Sequence, residues 1–128
     1  MILIDTSVII YCMRTGDAKV DKLLRSLPVS VCGITHAELL HGARTPAERK
    51  KLLTFLAGIA HVTIPDTIWD AVGDNLSILR SKGVTIPFPD AVIATIAILN
   101  DIELWTRDTH FGLVQSAIPA LKLFIEPP

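Results

Sequence analysis

The chain is poor in cysteine, in charge of one sign and in long apolar runs, and each shortage narrows what it can be. Its two cysteines, Cys12 and Cys32, form no CxxC pair. Neither a disulfide framework nor a thiolate metal site is therefore expected. Met1 to Ile4 lacks a basic region and is not followed by a small-residue cleavage site, so it reads as structure and not as a leader. Free thiols without an export signal place the expected location in the cytoplasm. The apolar run from Ala91 to Leu99 is far short of the roughly 20 residues that span a bilayer, so no membrane is expected. A net charge of −1 argues neither for nor against nucleic acid. None of the four histidines falls in an HExxH pattern, and His36 and His41 do not align on one helix face. The histidines are read as structural or surface side chains. There is no internal repeat, linker or low-complexity tract.

What the chain has is apolar substance. Hydrophobic residues make up 50% of it and the mean hydropathy is +0.48, high for a small soluble monomer. A single domain over residues 1–128 buries a real core without disulfides, and some apolar surface is expected to face a partner. Helices one and four carry more apolar residues than one stripe needs: Val8, Ile9, Ile10 and Tyr11 in the first, Leu52, Leu53, Phe55 and Leu56 in the fourth.

Strands and helices alternate along the chain. Ile2-Leu3-Ile4 is a continuous apolar run, the habit of a strand covered on both faces. Helices follow over 7–13 and 18–26, the second capped by Asp17 and stopped before Pro28. Val29 to Cys32 is a strand. Thr35-His36-Ala37-Glu38 has capping-box spacing and opens a helix to Ala43, and Thr45-Pro46-Ala47-Glu48 opens another to Ala57. A strand over 61–64 leads to Asp66, which is expected to cap a helix ending at Lys82. Two prolines in 84–89 argue for an extended, non-helical approach to Asp90, which then opens a helix over 91–100, apolar nearly all round and so central. A strand over 103–106, a loop over 107–110 and an edge strand over 121–124 complete the chain. The fold class is therefore α/β: a three-layer α/β/α sandwich on a mainly parallel sheet of about five strands. Trp69 and Trp105 are expected in the core and not as base-stacking platforms.

Four acids fall on strand-to-helix connections: Asp5, Glu38, Asp90 and Asp108. That is the edge where open parallel sheets bind ligands. Singly, each is open to a local explanation, because Asp5 and Asp90 suit N-caps and Glu38 suits a capping box. Jointly they would repel unless something positive held them, and oxygen ligands without a cysteine or histidine cluster favour Mg²⁺ or Mn²⁺.

The stretches Ile2-Leu3-Ile4-Asp5-Thr6-Ser7, Thr35-His36-Ala37-Glu38-Leu39, Pro87-Phe88-Pro89-Asp90-Ala91 and Leu104-Trp105-Thr106-Arg107-Asp108 resemble, in order and spacing, the successive signatures of PIN-domain ribonucleases. Among these the chain is most similar to the VapC toxins of toxin–antitoxin pairs. The resemblance implies a PIN-like fold and a metal site of Asp5, Glu38, Asp90 and Asp108, with Thr6 and Thr106 as supporting hydroxyls. It implies endonucleolytic hydrolysis of RNA that leaves a 5′-phosphate and a 3′-hydroxyl. It also implies a homodimer and a VapB-type antitoxin whose C-terminal segment covers apolar residues around Leu52, Phe55 and Leu56. Some relatives place a further acid after the position of Asp108, where this chain has Thr109 and His110. One firmly held ion on Asp5 and Asp90, with a weaker second, is the expectation.

With the four acids set aside, 9 Asp and Glu face 12 Lys and Arg, so the rest of the body is mildly basic. Arg14, Arg44, Lys82 and Arg107 are the candidates for touching RNA. Two other readings compete. A receiver domain has the right length, but its acidic pair after strand one is missing, since Asp5 stands alone. A PIN-like module that binds RNA or protein without cutting is the other.

Overall fold

The computed structural model describes all residues from 1 to 128. Its strands are β1 (Ile2–Ile4), β2 (Val29–Cys32), β3 (Ala60–Val62) and β4 (Glu103–Trp105). Its helices are α1 (Thr6–Thr15), α2 (Ala18–Ser26), α3 (Gly33–His41), α4 (Pro46–Ala57), α5 (Ile68–Ser81), α6 (Phe88–Leu99) and α7 (His110–Ala117). The sheet has the order β3-β2-β1-β4 and every pairing is parallel, with Ile2 beside Val29 and Glu103, and Ser30 beside Ala60.

Successive strand residues point to opposite faces, so β1 feeds two cores. Leu3 packs with Leu104 and α5, α6 and α7, through Val72, Ile93, Ile96 and Phe111. Ile2 and Ile4 pack with Val31, Trp105 and α1, α2 and α4, through Val8, Leu24, Leu52 and Leu56. The three layers expected from the alternation of elements are present. Helix α6 is central as its sequence requires, with every residue from Ala91 to Ala97 buried.

Several expectations are corrected. The fifth strand shrinks to one parallel bridge, Leu104 to Leu123, closed by Leu104 N–H to the Lys122 carbonyl and Phe124 N–H to the Leu104 carbonyl, each at 2.8 Å. β4 is only three residues long, and beyond the bridge Glu126 is drawn off towards Trp105 and Arg107. The segment before Asp90 is helical from Phe88, because a proline in the first turn lacks only an N–H that would have had no partner there. Asp90 therefore lies inside the first turn and does not cap it. Helix α3 starts at Gly33, directly off β2, so Thr35 lies within it and the capping box does not form. Asp66 does not cap α5, which starts at Ile68 with Thr67 at its cap. Helix α7 has no counterpart in the sequence reading, although Phe111, Val114, Ala117 and Ile118 are buried at helical spacing. Trp69 is 48% exposed and not core, whereas Trp105 is fully buried and donates from Nε1 to Glu126.

Ile96 is fully buried and Leu99 is 57% exposed, one turn apart on α6. Ile96→Ala is expected to cost about 2–5 kcal/mol in urea unfolding and Leu99→Ala under about 0.5 kcal/mol. Equal losses would contradict the central placement of α6.

Candidate metal and nuclease site

Strand β1 ends in Asp5, whose N–H continues the ladder to the Trp105 carbonyl at 3.1 Å. Its side chain both caps α1 and faces the site. Oδ1 accepts from the Ser7 N–H at 3.1 Å and the Ser7 hydroxyl at 2.6 Å, and Oδ2 accepts from the Thr106 hydroxyl at 2.8 Å. Ser7 Oγ in turn accepts from Arg107 N–H and Thr106 Oγ1 from Asp108 N–H. Both hydroxyl protons are thus directed at Asp5, and the 3.3 Å approach of Ser7 to Thr106 is a contact between two acceptors. Hydrogen bonds to a charged group contribute roughly 1.5–3 kcal/mol each, while burying a carboxylate costs several kcal/mol. The balance falls to burial: Asp5 is 5% exposed, and desolvation raises its pKa above 3.8 in spite of Ser7 and Thr106.

Glu38, within α3 and not at its cap, accepts from the Thr6 hydroxyl at 3.1 Å. Asp90 has its pKa pushed up to about 6, first by desolvation and then by the charges of Asp108, Glu38 and Asp5, with His110 acting in the opposite direction. The four acids thus share one field. None of them pairs with a lysine or arginine. Asp90, Asp108 and His110 offer donor atoms that all lie within 4.8 Å of one another. Asp5 and Glu38 are not members of that cluster.

Arg107 adjoins the site but is engaged elsewhere. Its guanidinium lies 3.6 Å above the Tyr11 ring and donates to both carboxylate oxygens of Glu126, at 3.0 and 2.7 Å. Lys82 donates to the Ala117 carbonyl at 2.9 Å, at the far end of α7 from His110. Arg14 stands nine residues along α1 from Asp5, roughly 13 Å at the helical rise, and lines a separate shallow cleft with Arg44 and Glu48. The structure does not bring Arg14, Arg44 or Lys82 to the acids. Two residues of the site were missed in the sequence. Ser7 stands two residues past Asp5 with no local signal that it turns back on that carboxylate, and His110 lies in a stretch read as loop, among histidines read as structural or surface side chains.

These features define a class of protein. The family model described as "PIN domain" matches residues 2–116, and the chain belongs to that family. It is similar to "Ribonuclease VapC10" of Mycobacterium tuberculosis, with 30% identity over 123 residues, 93% of this chain and 92% of the relative. Among solved structures it is similar to VapBC2 from Rickettsia felis bound to a DNA fragment from their promoter, at a TM-score of 0.81 and 23% identity, covering 97% of this chain and 98% of that one. FitAcB from Neisseria gonorrhoeae follows at 0.76 and 25%, covering 98% of both. The resemblance carried by the four motifs holds, and a receiver domain is set aside.

For Asp90 the folded value is raised, so between about 6 and 3.8 the folded chain holds more protons than the unfolded one. Its contribution to stability therefore rises as pH falls through that window and is lost as pH rises through about 6. In chelator, Asp90→Asn is expected to unfold at equal or higher urea concentration than wild type at neutral pH, with the difference shrinking as pH falls. A variant less stable at every pH would show that the crowding is not as described.

Proposed function

We propose that this protein is a divalent-metal-dependent endoribonuclease, the toxin of a toxin–antitoxin pair, which hydrolyses RNA and leaves a 5′-phosphate and a 3′-hydroxyl. The observation that carries this is the convergence of four carboxylates without a lysine or arginine partner at one edge of a PIN-domain sheet, in a chain 30% identical to a protein named a ribonuclease. The donor chemistry fits a divalent cation, because carboxylate oxygens and one imidazole are present and no thiolate is near. Asp90 and Asp108, with Asp5 and Glu38 behind them, would hold Mg²⁺ or Mn²⁺. Such an ion, when bound, lowers the pKa of water and offsets charge on the phosphate.

The chain's own residues do the positioning. Ser7 and Thr106 fix Asp5 from both sides, and Thr6 fixes Glu38, so two of the acids are oriented before anything binds. Asp90 and Asp108 are partly exposed and open towards substrate. A cleft of about 450 Å³ beside Asp108, lined by Thr106, Arg107 and Phe124, offers the strand a path. Outside the four acids, 12 Lys and Arg against 9 Asp and Glu lessen the overall repulsion of RNA phosphates. Any RNA phosphate that uses Arg107 must share it with Glu126.

The proposed antitoxin covers a groove of about 610 Å³ between α1, α2 and α4, lined by Ile9, Met13, Leu24, Leu52 and Phe55. Leu56, 2% exposed, belongs to the core and is not available to a partner. The rim carries Asp21, Arg25 and Lys51, so a segment with an apolar centre and flanking charges fits. Trp69, Leu99 and Leu113, each about half exposed, are apolar surface left over for a homodimer. Two unpaired thiols accord with a cytoplasmic location, and no helix is long and apolar enough to cross a membrane.

Purified protein is expected to cleave RNA with Mg²⁺ or Mn²⁺, to stop in chelator, and to lose at least about 100-fold of its rate as Asp90→Asn or Asp5→Asn. Undiminished cleavage by folded Asp90→Asn would refute the assignment, and metal binding without cleavage would favour a non-cutting module. With the cognate antitoxin, hydrogen exchange is expected to slow in α1 and α4, and light scattering of the free protein to report a dimer. A monomer whose α4 gains no protection would remove both interfaces.

A further inference from the structure

We infer that His110 supplies an imidazole nitrogen to the cation held by Asp90 and Asp108, giving this site a mixed oxygen and nitrogen donor set that favours Mn²⁺ over Mg²⁺. The inference rests on the metal-dependent reading above and adds to it a ligand and a choice of ion.

The geometry comes from α7. Asp108 Oδ1 accepts the His110 backbone N–H at 2.9 Å, and one residue on, Phe111 is fully buried against the α5–α6 side of the sheet. His110 is therefore anchored from both directions. Its Nδ1 lies 3.3 Å from Asp108 Oδ1, near the roughly 3 Å that separates neighbouring donors on one octahedral ion. Asp90 completes a group whose donor atoms are mutually within 4.8 Å.

A cap for α7 would explain the backbone bond but not the ring. The N–H already satisfies Asp108 Oδ1, and the imidazole makes no polar contact except with that same carboxylate. The ring is also 56% exposed, so its position is not forced by packing. By contrast, the other two acids are turned to neighbours: Asp5 is held by Ser7 and Thr106, and Glu38 by Thr6. The position beside Asp108 and Asp90 is thus held by a nitrogen donor. Mg²⁺ prefers oxygen ligands and gives up water reluctantly, whereas first-row transition ions accept imidazole readily.

The test uses the full chain, with Mn²⁺ and Mg²⁺ each titrated alone by calorimetry, and pulsed electron paramagnetic resonance on the Mn²⁺ form. Wild type is expected to show nitrogen coupling to Mn²⁺. In His110→Ala the coupling should vanish and Mn²⁺ affinity fall about tenfold, with Mg²⁺ affinity changed less than about twofold. His110→Asp should narrow the preference for Mn²⁺ by restoring an oxygen donor. His61→Ala should leave coupling and affinities unchanged. Mn²⁺ bound to wild type without nitrogen coupling, or coupling that survives in His110→Ala, would overturn this inference and leave the metal reading standing. Failure of wild type to bind either ion would overturn both.

Discussion

A carboxylate buried at the end of a central strand remains usable only if donors surround it, and Asp5 is surrounded by groups from two chain segments a hundred residues apart. Ser7 comes from the first turn of α1 and Thr106 from the end of β4, and both direct their protons at the same side chain. The arrangement ties the carboxyl ends of β1 and β4 together. Through Arg107 N–H to Ser7 and Asp108 N–H to Thr106, it also sets the loop that carries the third partly exposed acid of the site. The position of the acidic edge therefore depends on this one clasp.

The clasp does not neutralise the edge. Asp90, raised to about 6 by burial and by Asp108, Glu38 and Asp5, records negative charge that no lysine or arginine offsets. A fold that spends helix starts and strand ends on such a concentration of like charge is less stable without a cation than it would be with amides in those places. The two apolar cores on either face of the sheet supply what holds the edge together. The one strong basic side chain beside the site, Arg107, is kept off the acids by Glu126 and stacked on Tyr11, so it does not quench the charge it adjoins.

The same separation of roles appears in the surface. The groove between α1, α2 and α4 lies on the layer opposite α5, α6 and α7, so a partner seated there contacts a different face from the one that supports Asp90. Leu52 belongs to both the core and the groove, whereas Leu56, one turn on, has been taken wholly into the core. The excess of apolar residues in α4 is thus shared between the core and the groove.

The sequence by itself determined the alternation of strands and helices, the centrality of α6 and the choice of Asp5, Glu38, Asp90 and Asp108 as candidates for one site. These follow from local patterns: apolar runs, glycine and proline stops, and the placing of single polar residues after strands. It also carried the boundaries of α2, β2 and α4, where Asp17, Pro28, Thr45 and Gly58 act on their immediate neighbours. Where a local signal competed with a long-range contact, the tertiary structure decided. Glu38 has capping-box spacing but bonds Thr6, 32 residues away, because α3 begins directly off β2. The would-be fifth strand pairs at one residue because its continuation is claimed by Trp105 and Arg107. Ser7 and His110 entered the site for the same reason: a hydroxyl or an imidazole acquires a role only when another segment brings a carboxylate within reach, and no spacing along the chain encodes that distance.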